Sequence, residues 1–372
     1  ACGVGRKDVE PTLGTAIQAH WELINVPFGP EYPGNRRWNK FAAKLAFVPR
    51  EGPFPTWTSV LRHVGHSLNE PLRELEWAKK HGITSGLDYL LCWCAAMFQE
   101  PLEPLPYLFL HGPQNSGKSI FHEALGMLLT CGYVRVDTAL TNPGRFNGEL
   151  AGAVLCAVEE TNLRSHKVAA DRIKDWVTGK TIQIHVKGRT PYDLPNSCHF
   201  IQCANPVDHC PIMPGDTRIT VIHVDQLDSE VPKRELLPML KAEAPAFLHH
   251  LRTLALPPPS GRLRLPVVAT VDKLEQMAAN QSEIEGFISD QLHPCAGAVV
   301  SFKEFRERFL EWLRPEVRGF WSPRRMVSEL PHSVVKGRYG AGGQIHLGNL
   351  SWEADRCPGR PFVKLGDRLV QA

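Results

Sequence analysis

The sequence predicts an α/β protein built around a parallel β-sheet. Three apolar runs of strand length carry this prediction, at residues 106–110 (PYLFL), 151–158 (AGAVLCAV) and 198–204 (CHFIQCA). Unbroken apolar runs are typical of parallel strands that are covered on both faces. The segments between the runs include apolar residues at helical spacing, and alternating strands and helices indicate a parallel sheet.

A glycine-rich segment, GPQNSGKS, joins the first apolar run to a predicted helix. It fits the phosphate-binding loop pattern G-x-x-x-x-G-K-[ST], in which Lys118 reaches the β- and γ-phosphates and the Ser119 hydroxyl coordinates Mg²⁺. As a loop residue, Lys118 is expected to be exposed. The alternative is a glycine-rich turn that binds nothing. The predicted nucleotide contacts are Gly112, Pro113, Gln114, Asn115, Ser116, Gly117, Lys118 and Ser119.

Two glutamates, Glu159 and Glu160, follow the second apolar run directly. Carboxylates at the C-terminal end of a parallel strand beside a P-loop form a Walker-B arrangement. In this arrangement Glu159 would hold Mg²⁺, and Glu160 would orient and deprotonate the attacking water. The alternative is a solvated strand end.

Asn205 follows the third apolar run, where its side chain could contact both the γ-phosphate and the attacking water. It also fits an asparagine that begins a turn before Pro206. Arg218 precedes a fourth apolar run, residues 219–224, at the place where a ring-forming ATPase would insert an arginine finger into its neighbour. The alternative for Arg218 is an ordinary surface arginine.

A β-hairpin is predicted between the acidic pair and Asn205. Residues 181–186 (TIQIHV) alternate between polar and branched apolar side chains, and Lys187, Gly188 and Arg189 follow as a turn with two cations. A basic hairpin tip could follow the phosphates of DNA without reading its bases. The alternative is an exposed hairpin whose cations are only solvated.

The order of these motifs resembles that of superfamily-3 helicases, in particular the phage and plasmid primase-helicases related to the poxvirus-type helicase-primases. The resemblance covers about residues 85–255 and rests on GPQNSGKS, AVLCAVEET and the block at 173–205. It implies an AAA+-like P-loop core, ATP as the nucleotide, a hexameric ring, and a hairpin at about 181–196 that grips DNA in the central channel. Many members carry aspartate in the acidic strand, so it stays open whether Glu159 or Glu160 holds the metal.

Together, the motifs and the resemblance predict an ATP-dependent ring DNA helicase of phage, plasmid or viral replication that translocates on single-stranded DNA. The expected catalytic residues are Glu160, Asn205 and, across a subunit boundary, Arg218, with Lys187 and Arg189 binding DNA. The expected cofactors are ATP and Mg²⁺. The expected partners are single-stranded or forked DNA and further copies of the chain, with a primase as an open addition. Two alternatives remain: a P-loop ATPase that remodels or packages nucleic acid, and an ATP-controlled DNA-binding initiation module that does not unwind.

Composition shifts divide the chain into an N-terminal segment with a helical collar (1–104), the ATPase core (105–256), a linker and helix (257–281) and a C-terminal domain (282–372). In the last domain, the predicted order of helices and strands suits a winged helix. Residues 301–372 hold 13 Lys and Arg against 8 Asp and Glu, so this domain could also meet phosphates. The alternative is a small helical cap with a solvated basic face.

Two local predictions concern helices outside the sheet. Residues 38–46 (WNKFAAKLA) predict a short helix in the N-terminal segment. A longer helix is predicted at residues 234–254, where the internal Pro245 should kink or split it.

The composition limits the classes of protein to which this chain can belong. The chain has 372 residues, of which 43% are hydrophobic and 22% charged, so it is globular and long enough for several domains. A net charge of +3 allows nucleic-acid binding but requires that it come from local patches. No signal pattern or membrane-spanning stretch is apparent, so a cytoplasmic protein without membrane contact is expected, in the bacterial host if a phage or plasmid encodes it. The ten cysteines favour reduced thiols, and a zinc site is the weaker alternative, with Cys198, Cys203, His209 and Cys210 as its ligands.

Overall fold

The computed structural model describes residues 21–372 apart from residues 145, 228–230, 281, 332, 341–342 and 355–358. The chain separates into two compact units, one that ends at Gln276 and one that begins at Met277. Each unit has its own β-sheet and its own apolar core.

The first unit is built on a five-stranded parallel sheet. The strands before residue 277 are β1 (Glu22–Leu23), β2 (Arg37–Trp38), β3 (Lys44–Leu45), β4 (Tyr107–His111), β5 (Leu129–Cys131), β6 (Tyr133–Arg135), β7 (Leu155–Glu159), β8 (Thr181–Ile184), β9 (Tyr192–Pro195), β10 (His199–Ala204) and β11 (Ile219–His223). The parallel sheet has the strand order β11-β4-β10-β7-β6. The strands β4, β7, β10 and β11 are buried along almost their whole length. The predicted parallel-sheet core is confirmed.

Helices lie between and around these strands in the sequence. They are α1 (Pro55–Val64), α2 (Asn69–Glu74), α3 (Glu76–His81), α4 (Gly86–Gln99), α5 (Lys118–Met127), α6 (Asp137–Thr141), α7 (Lys167–Trp176), α8 (Lys233–Thr253) and α9 (Val271–Ala279). Short 3₁₀ turns lie at His66–Leu68, Gly148–Leu150, Leu163–Ser165 and Val207–His209. Helix α4 begins after Ser85, where Ser85 and Asp88 form a reciprocal capping box.

The helical collar is part of the first unit's core. In α1, the buried Trp57 stacks on Phe247 of α8 with ring centroids 4.1 Å apart, and its indole N–H donates to the carbonyl of Leu240 at 2.9 Å. Beside it, the Thr56 hydroxyl donates to Glu243 at 2.6 Å. Helix α1 also packs against α5, so the collar holds α1 next to the glycine-rich loop.

The helix predicted at residues 38–46 is wrong, because this segment contains the ends of β2 and β3 joined by a turn. The buried Asn39 decides the outcome. Its side chain accepts from the N–H of Val26 at 2.9 Å and donates to the carbonyl of Val26 at 2.8 Å. Side-chain hydrogen bonds of this kind compete with helix formation, and the local pattern does not reveal their distant partner.

The alternative that Pro245 splits α8 is also wrong, because the helix runs without a break from Lys233 to Thr253, and a kink at Pro245 stays a prediction. Proline removes one backbone donor from a helix interior. Here the neighbouring Ala244 and Phe247 are buried in the main core, and burial of apolar side chains stabilises the helix on both sides of the proline.

The second unit has a five-stranded sheet in the order β12-β14-β13-β16-β15. Its strands are β12 (His293–Ser301), β13 (Val335–Tyr339), β14 (Gln344–Ser351), β15 (Phe362–Leu365) and β16 (Arg368–Gln371), and its helices are α10 (Glu283–Gln291), α11 (Phe302–Trp312), α12 (Pro315–Arg318) and α13 (Pro323–Glu329). Aromatic packing forms the core, with Phe287 edge-on to Phe305 and Phe309. The sequence predicted the helices α10, α11 and α13 and the strands β12, β13 and β14, whereas α12 and the hairpin of β15 and β16 were not predicted.

Candidate functional site

The glycine-rich loop joins the buried β4 to α5, which confirms the predicted order of strand, loop and helix. Gly112 and Gly117 have positive φ values of 142° and 86°. A Cβ atom at Gly112 would lie 2.3 Å from the carbonyl oxygen of Val224. Both glycines of the motif are therefore required by the backbone, because a side chain would be strained at either position and would clash at the first.

Lys118 begins α5 and is buried, with 5% of its surface exposed, so the expectation of an exposed loop lysine is wrong. Its Nζ donates to the carbonyl of Gly112 at 3.0 Å, the carbonyl of Pro113 at 2.6 Å and the hydroxyl of Ser116 at 3.2 Å. Burial lowers the pKa of Lys118. A phosphate in the loop could replace these neutral acceptors with anionic oxygens, which would stabilise the ammonium charge.

The loop forms one wall of a cavity of about 550 Å³, a size within the range of small-molecule sites. The polar residues of its lining include Lys118, Ser119, Glu160 and Asn205. The cavity lies at the N-terminus of α5, where free backbone N–H groups favour anions. The lining also includes residues of α1 and the start of α8, namely Ser59, Val60, His63, Val64, Lys233 and Leu236.

The contribution of α1 was not predicted from the sequence. His63 places its Nε2 2.9 Å from the carbonyl oxygen of Ser116 in the loop. This residue lies 53 positions before Ser116, and no local pattern marks it. Only the packing of α1 against α5 brings it to the cavity.

Glu160 lies immediately beyond β7 and lines the cavity beside Lys118 and Ser119. Its φ of 53° is uncommon for a residue other than glycine, and its N–H donates to the carbonyl of Cys203 at 2.9 Å. Residues held in sparsely populated backbone regions are concentrated at functional sites. The structure therefore brings this predicted site residue to the loop.

Asn205 follows β10, which lies between β4 and β7 in the sheet. Its carbonyl accepts from the N–H of Gly112 at 3.3 Å, and it lines the same cavity as Glu160. The strand order thus places Asn205 between the glycine-rich loop and the acidic strand end, and its contact with a γ-phosphate stays a prediction.

Glu159 does not line the cavity. One carboxylate oxygen accepts from Arg135 on the edge strand β6 at 2.5 Å, and the other lies 3.0 Å from Nε2 of the buried His122. Burial lowers the pKa of His122 to about 4, so its ring is neutral at pH 7 and Arg135 is the charged partner. In this arrangement, Glu160 is the carboxylate at the loop, and the role of Glu159 as a metal ligand stays a prediction.

Arg218 lies just before the start of β11, whereas the glycine-rich loop follows the far end of the neighbouring strand β4. The carbonyl of Arg218 accepts from the N–H of Tyr107, the first residue of β4, at 2.9 Å, whereas the loop follows the last residue of β4. The turn before it is fixed by the buried carboxylate of Asp216, which accepts from the N–H groups of Arg218 and Ile219 and from Lys273. Arg218 is therefore held away from the cavity of its own chain.

The predicted hairpin is confirmed, with β8 and β9 paired antiparallel from Thr181 opposite Pro195 to Ile184 opposite Tyr192. Lys187 and Arg189 are exposed in the connecting segment. The end of β8 that leads into the turn is held by a residue that sequence reasoning missed. The buried Asn147 donates to the carbonyl of Gln183 at 2.9 Å and accepts from the N–H of His185 at 2.7 Å. Contact of the tip with DNA stays a prediction.

Two further expectations concern metals and membranes. In the described residues, no group with metal-ligand spacing includes Cys198, Cys203, His209 or Cys210. The three cysteines are buried free thiols, and burial raises the pKa of Cys203 and Cys210. None of the described helices combines the length and apolar character that crossing a membrane requires.

Comparison with known proteins matches the region that forms this site. A family of unknown function, DUF5906, matches residues 110–218, from the end of β4 to Arg218. A DNA primase-polymerase of Nitratiruptor phage NrS-1 is 23% identical over 172 residues, which are 43% of this chain and 24% of that protein. The match thus spans about a quarter of the relative's length.

Solved structures of the NrS-1 C-terminal region share the fold. The apo structure of residues 305–718 has a TM-score of 0.58 at 16% identity and covers 92% of this chain and 88% of that one. An A-form apo structure of the same region has a TM-score of 0.56 at 15% identity, with 92% and 90% covered. The chain is therefore similar to a phage DNA primase-polymerase and shares the fold of its C-terminal region. The expected likeness to phage primase-type proteins is confirmed, and the assignment to superfamily 3 stays a prediction.

Proposed function

We propose that this chain is an ATP-dependent DNA translocase of phage replication, with an AAA+-like superfamily-3 helicase core. The observation that carries the proposal is the convergence of Lys118, Ser119, Glu160 and Asn205 on one cavity. These residues follow three adjacent parallel strands, β4, β7 and β10. A cation, a hydroxyl, a carboxylate and an amide beside a helix N-terminus form a set that suits hydrolysis of a nucleoside triphosphate.

The oxygen atoms at the cavity fit Mg²⁺, which prefers hard oxygen ligands and retains several waters. The Ser119 hydroxyl lines the cavity and would hold the ion, and Glu159 would join it only after leaving Arg135. When bound, Mg²⁺ would neutralise charge on the β- and γ-phosphates. Lys118 would exchange its carbonyl contacts for phosphate oxygens, Glu160 would accept the proton of the attacking water, and Asn205 would hold the γ-phosphate.

The position of Arg218 supports assembly into a ring. A finger residue must be far from the nucleotide of its own chain and close to that of a neighbour. Arg218 meets the first condition, because the length of β4 separates it from its own loop. The network around Asp216 would keep it in a fixed position for a neighbouring copy. A closed hexamer is the assembly that we propose.

We expect Arg218→Ala to abolish ATP hydrolysis alone but to regain part of it when mixed with Lys118→Ala protein. A mixed ring contains some interfaces in which one chain supplies the intact loop and the next supplies the intact arginine. Activity as a function of mixing ratio measures this effect. Arg252→Ala, a change at an exposed arginine of α8, is the matched control and should retain activity. Inactive mixtures, with mixed rings verified by mass, would exclude a role in trans.

We expect Lys187→Ala with Arg189→Ala to leave basal ATP hydrolysis intact and to remove its stimulation by DNA. Both cations are exposed in the hairpin, and phosphate contacts would act equally on every DNA sequence. Single-strand binding at several salt concentrations should show a slope that is shallower by about one unit for each lost contact. The control pair is Lys241→Ala with Arg252→Ala, which removes the same charge from α8. If binding and slope match the wild type, the hairpin is not the DNA element.

The second unit supports a second DNA contact. We propose a winged-helix assignment for its elements α10, β12, α11, α13, β13 and β14, with β14 between β12 and β13 in the sheet, and α12, β15 and β16 are additional to this pattern. Arg324 on α13 is exposed and could meet phosphates. Its neighbour Arg325 is engaged in an ion pair with Glu329 at 2.7 Å.

Unwinding of a forked duplex in the presence of ATP tests the whole proposal. A helicase should separate the strands and hydrolyse ATP faster when DNA is present. DNA-stimulated hydrolysis without strand separation would instead favour an ATPase that remodels or packages nucleic acid. Slow hydrolysis with and without DNA, together with ATP-dependent assembly, would favour an initiation module. We propose that a primase acts with this chain, as the name of the NrS-1 relative combines priming with polymerisation.

A further inference from the structure

Two histidines lie side by side at the C-terminal edge of the parallel sheet, outside the nucleotide cavity. His111 ends β4 and His223 ends β11, and these two residues are paired in register across the strands. Their rings meet edge to face, with centroids 4.9 Å apart and an interplanar angle of 68°. Neither residue lines the cavity beside Lys118.

A carboxylate completes the group. Asp272 is the second residue of α9, and one of its oxygens lies 3.0 Å from Nε2 of His111. The start of α9 is fixed on β11, because the Thr270 hydroxyl donates to the carbonyl of Val221 at 3.0 Å and Lys273 donates to the carbonyl of Ile219 at 2.7 Å. The carboxylate is therefore held in place by residues that do not themselves belong to the group.

The three side chains have the spacing of a metal site. One ligand atom from each of His111, His223 and Asp272 can be chosen so that all lie within 4.8 Å of one another. Ligands of one Zn²⁺ ion, at about 2.0–2.2 Å from the metal, lie within roughly 4 Å of one another. His111 is buried, while His223 and Asp272 are partly exposed, so small side-chain movements could close the site and an ion could enter from solvent.

The chemistry of the ligands selects the class of cation. Burial lowers the pKa of His111, which favours the neutral imidazole that binds metals. Two imidazole nitrogens and one carboxylate suit Zn²⁺, Co²⁺ and Ni²⁺, whereas Mg²⁺ prefers oxygen ligands alone. A second carboxylate, Asp225, lies 3.5 Å from Nε2 of His223 and can orient this ring, as carboxylates around metal-binding histidines commonly do.

We propose that His111, His223 and Asp272 form a binding site for one first-row transition-metal cation of the Zn²⁺ class, separate from the Mg²⁺–nucleotide site. The site ties together the ends of β4 and β11 and the start of α9. The residue after His111 is Gly112, the first residue of the glycine-rich loop. A cation here would therefore fix the strand end from which the loop begins.

Titration of the full chain with Co²⁺ tests the proposal. We expect one equivalent to bind with weak visible absorption bands and without the charge-transfer band of a thiolate ligand, because the ligands are nitrogen and oxygen. His223→Ala and Asp272→Asn should each weaken binding by about tenfold or more. These two positions are partly exposed, so the variants avoid the folding risk of changing the buried His111. Calorimetry with Zn²⁺ should rank the wild type and these two variants in the same order of affinity.

The controls separate this site from other ligands in the chain. His166→Ala changes an exposed histidine at the start of α7, and Cys131→Ser removes an exposed thiol. Both should bind Co²⁺ like the wild type. If His223→Ala and Asp272→Asn, verified as folded by thermal melting, also bind one equivalent with unchanged affinity, the proposed site is wrong. Loss of binding in Cys131→Ser would assign the cation to thiolate chemistry elsewhere and would equally overturn the proposal.

Discussion

Replacement of Lys118 by alanine should lower ATP hydrolysis by at least about 100-fold, the effect of removing one preorganised donor from a transition state. Lys118 is the loop cation whose Nζ already lies among the loop carbonyls, so it needs only a short movement to reach a phosphate. Steady-state hydrolysis with saturating ATP and Mg²⁺ measures the loss. Nucleotide affinity, measured separately by titration, should also fall.

The effect of Lys118→Ala on stability should be small, although the side chain is buried. The substitution removes three hydrogen bonds, which destabilises the fold. It also removes a buried ammonium group whose pKa is lowered by burial, which stabilises the fold. These contributions oppose each other. Thermal melting of the variant and of Lys241→Ala, an exposed lysine on α8, provides the matched comparison. Undiminished hydrolysis in a well-folded Lys118→Ala protein would remove the nucleotide assignment.

Glu160→Gln should trap bound ATP, with hydrolysis slowed by about 100-fold or more and nucleotide affinity retained. The amide keeps the size of the side chain but cannot accept a proton, and general-base catalysis contributes about 10²–10⁴-fold. The neighbouring contacts should persist, because the backbone N–H of Glu160, and not its side chain, donates to Cys203. Single-turnover hydrolysis together with the amount of retained ATP measures both parts of the prediction.

Glu159→Gln is the matched comparison, since it makes the same chemical change one residue earlier. Glu159 contacts Arg135 and does not line the cavity, so the substitution should weaken that ion pair and leave more hydrolysis than Glu160→Gln leaves. If Glu159 moves to hold Mg²⁺, its variant should lose Mg²⁺-dependent nucleotide affinity. Normal turnover by Glu160→Gln would mean that the roles are reversed or that the pair is structural.

Local patterns in the sequence predicted the buried strands β4, β7, β10 and β11 and the hairpin of β8 and β9. The apolar runs at β4, β7 and β10 predicted buried parallel strands, because side chains covered on both faces must all be apolar. The alternation at residues 181–186 predicted the hairpin, because strand residues point to opposite faces in turn. The prediction for residues 38–46 was wrong because the buried Asn39 bonds to Val26, a contact outside any helical period.

The sequence by itself determined the chemistry of the candidate site: the loop glycines, Lys118, the acidic pair and Asn205. Only the tertiary structure decided which of these residues meet. The strand order β11-β4-β10-β7-β6 brings Glu160 and Asn205 to the loop, whereas Arg218 precedes the start of β11 and so lies at the opposite end of the strands. Packing between distant segments also produced the ion pair of Glu159 with Arg135, the contact of α1 with the loop and the group of His111, His223 and Asp272. The physical reason is that periodicity encodes which face of an element is buried, whereas the neighbours of that face come from distant parts of the chain through packing.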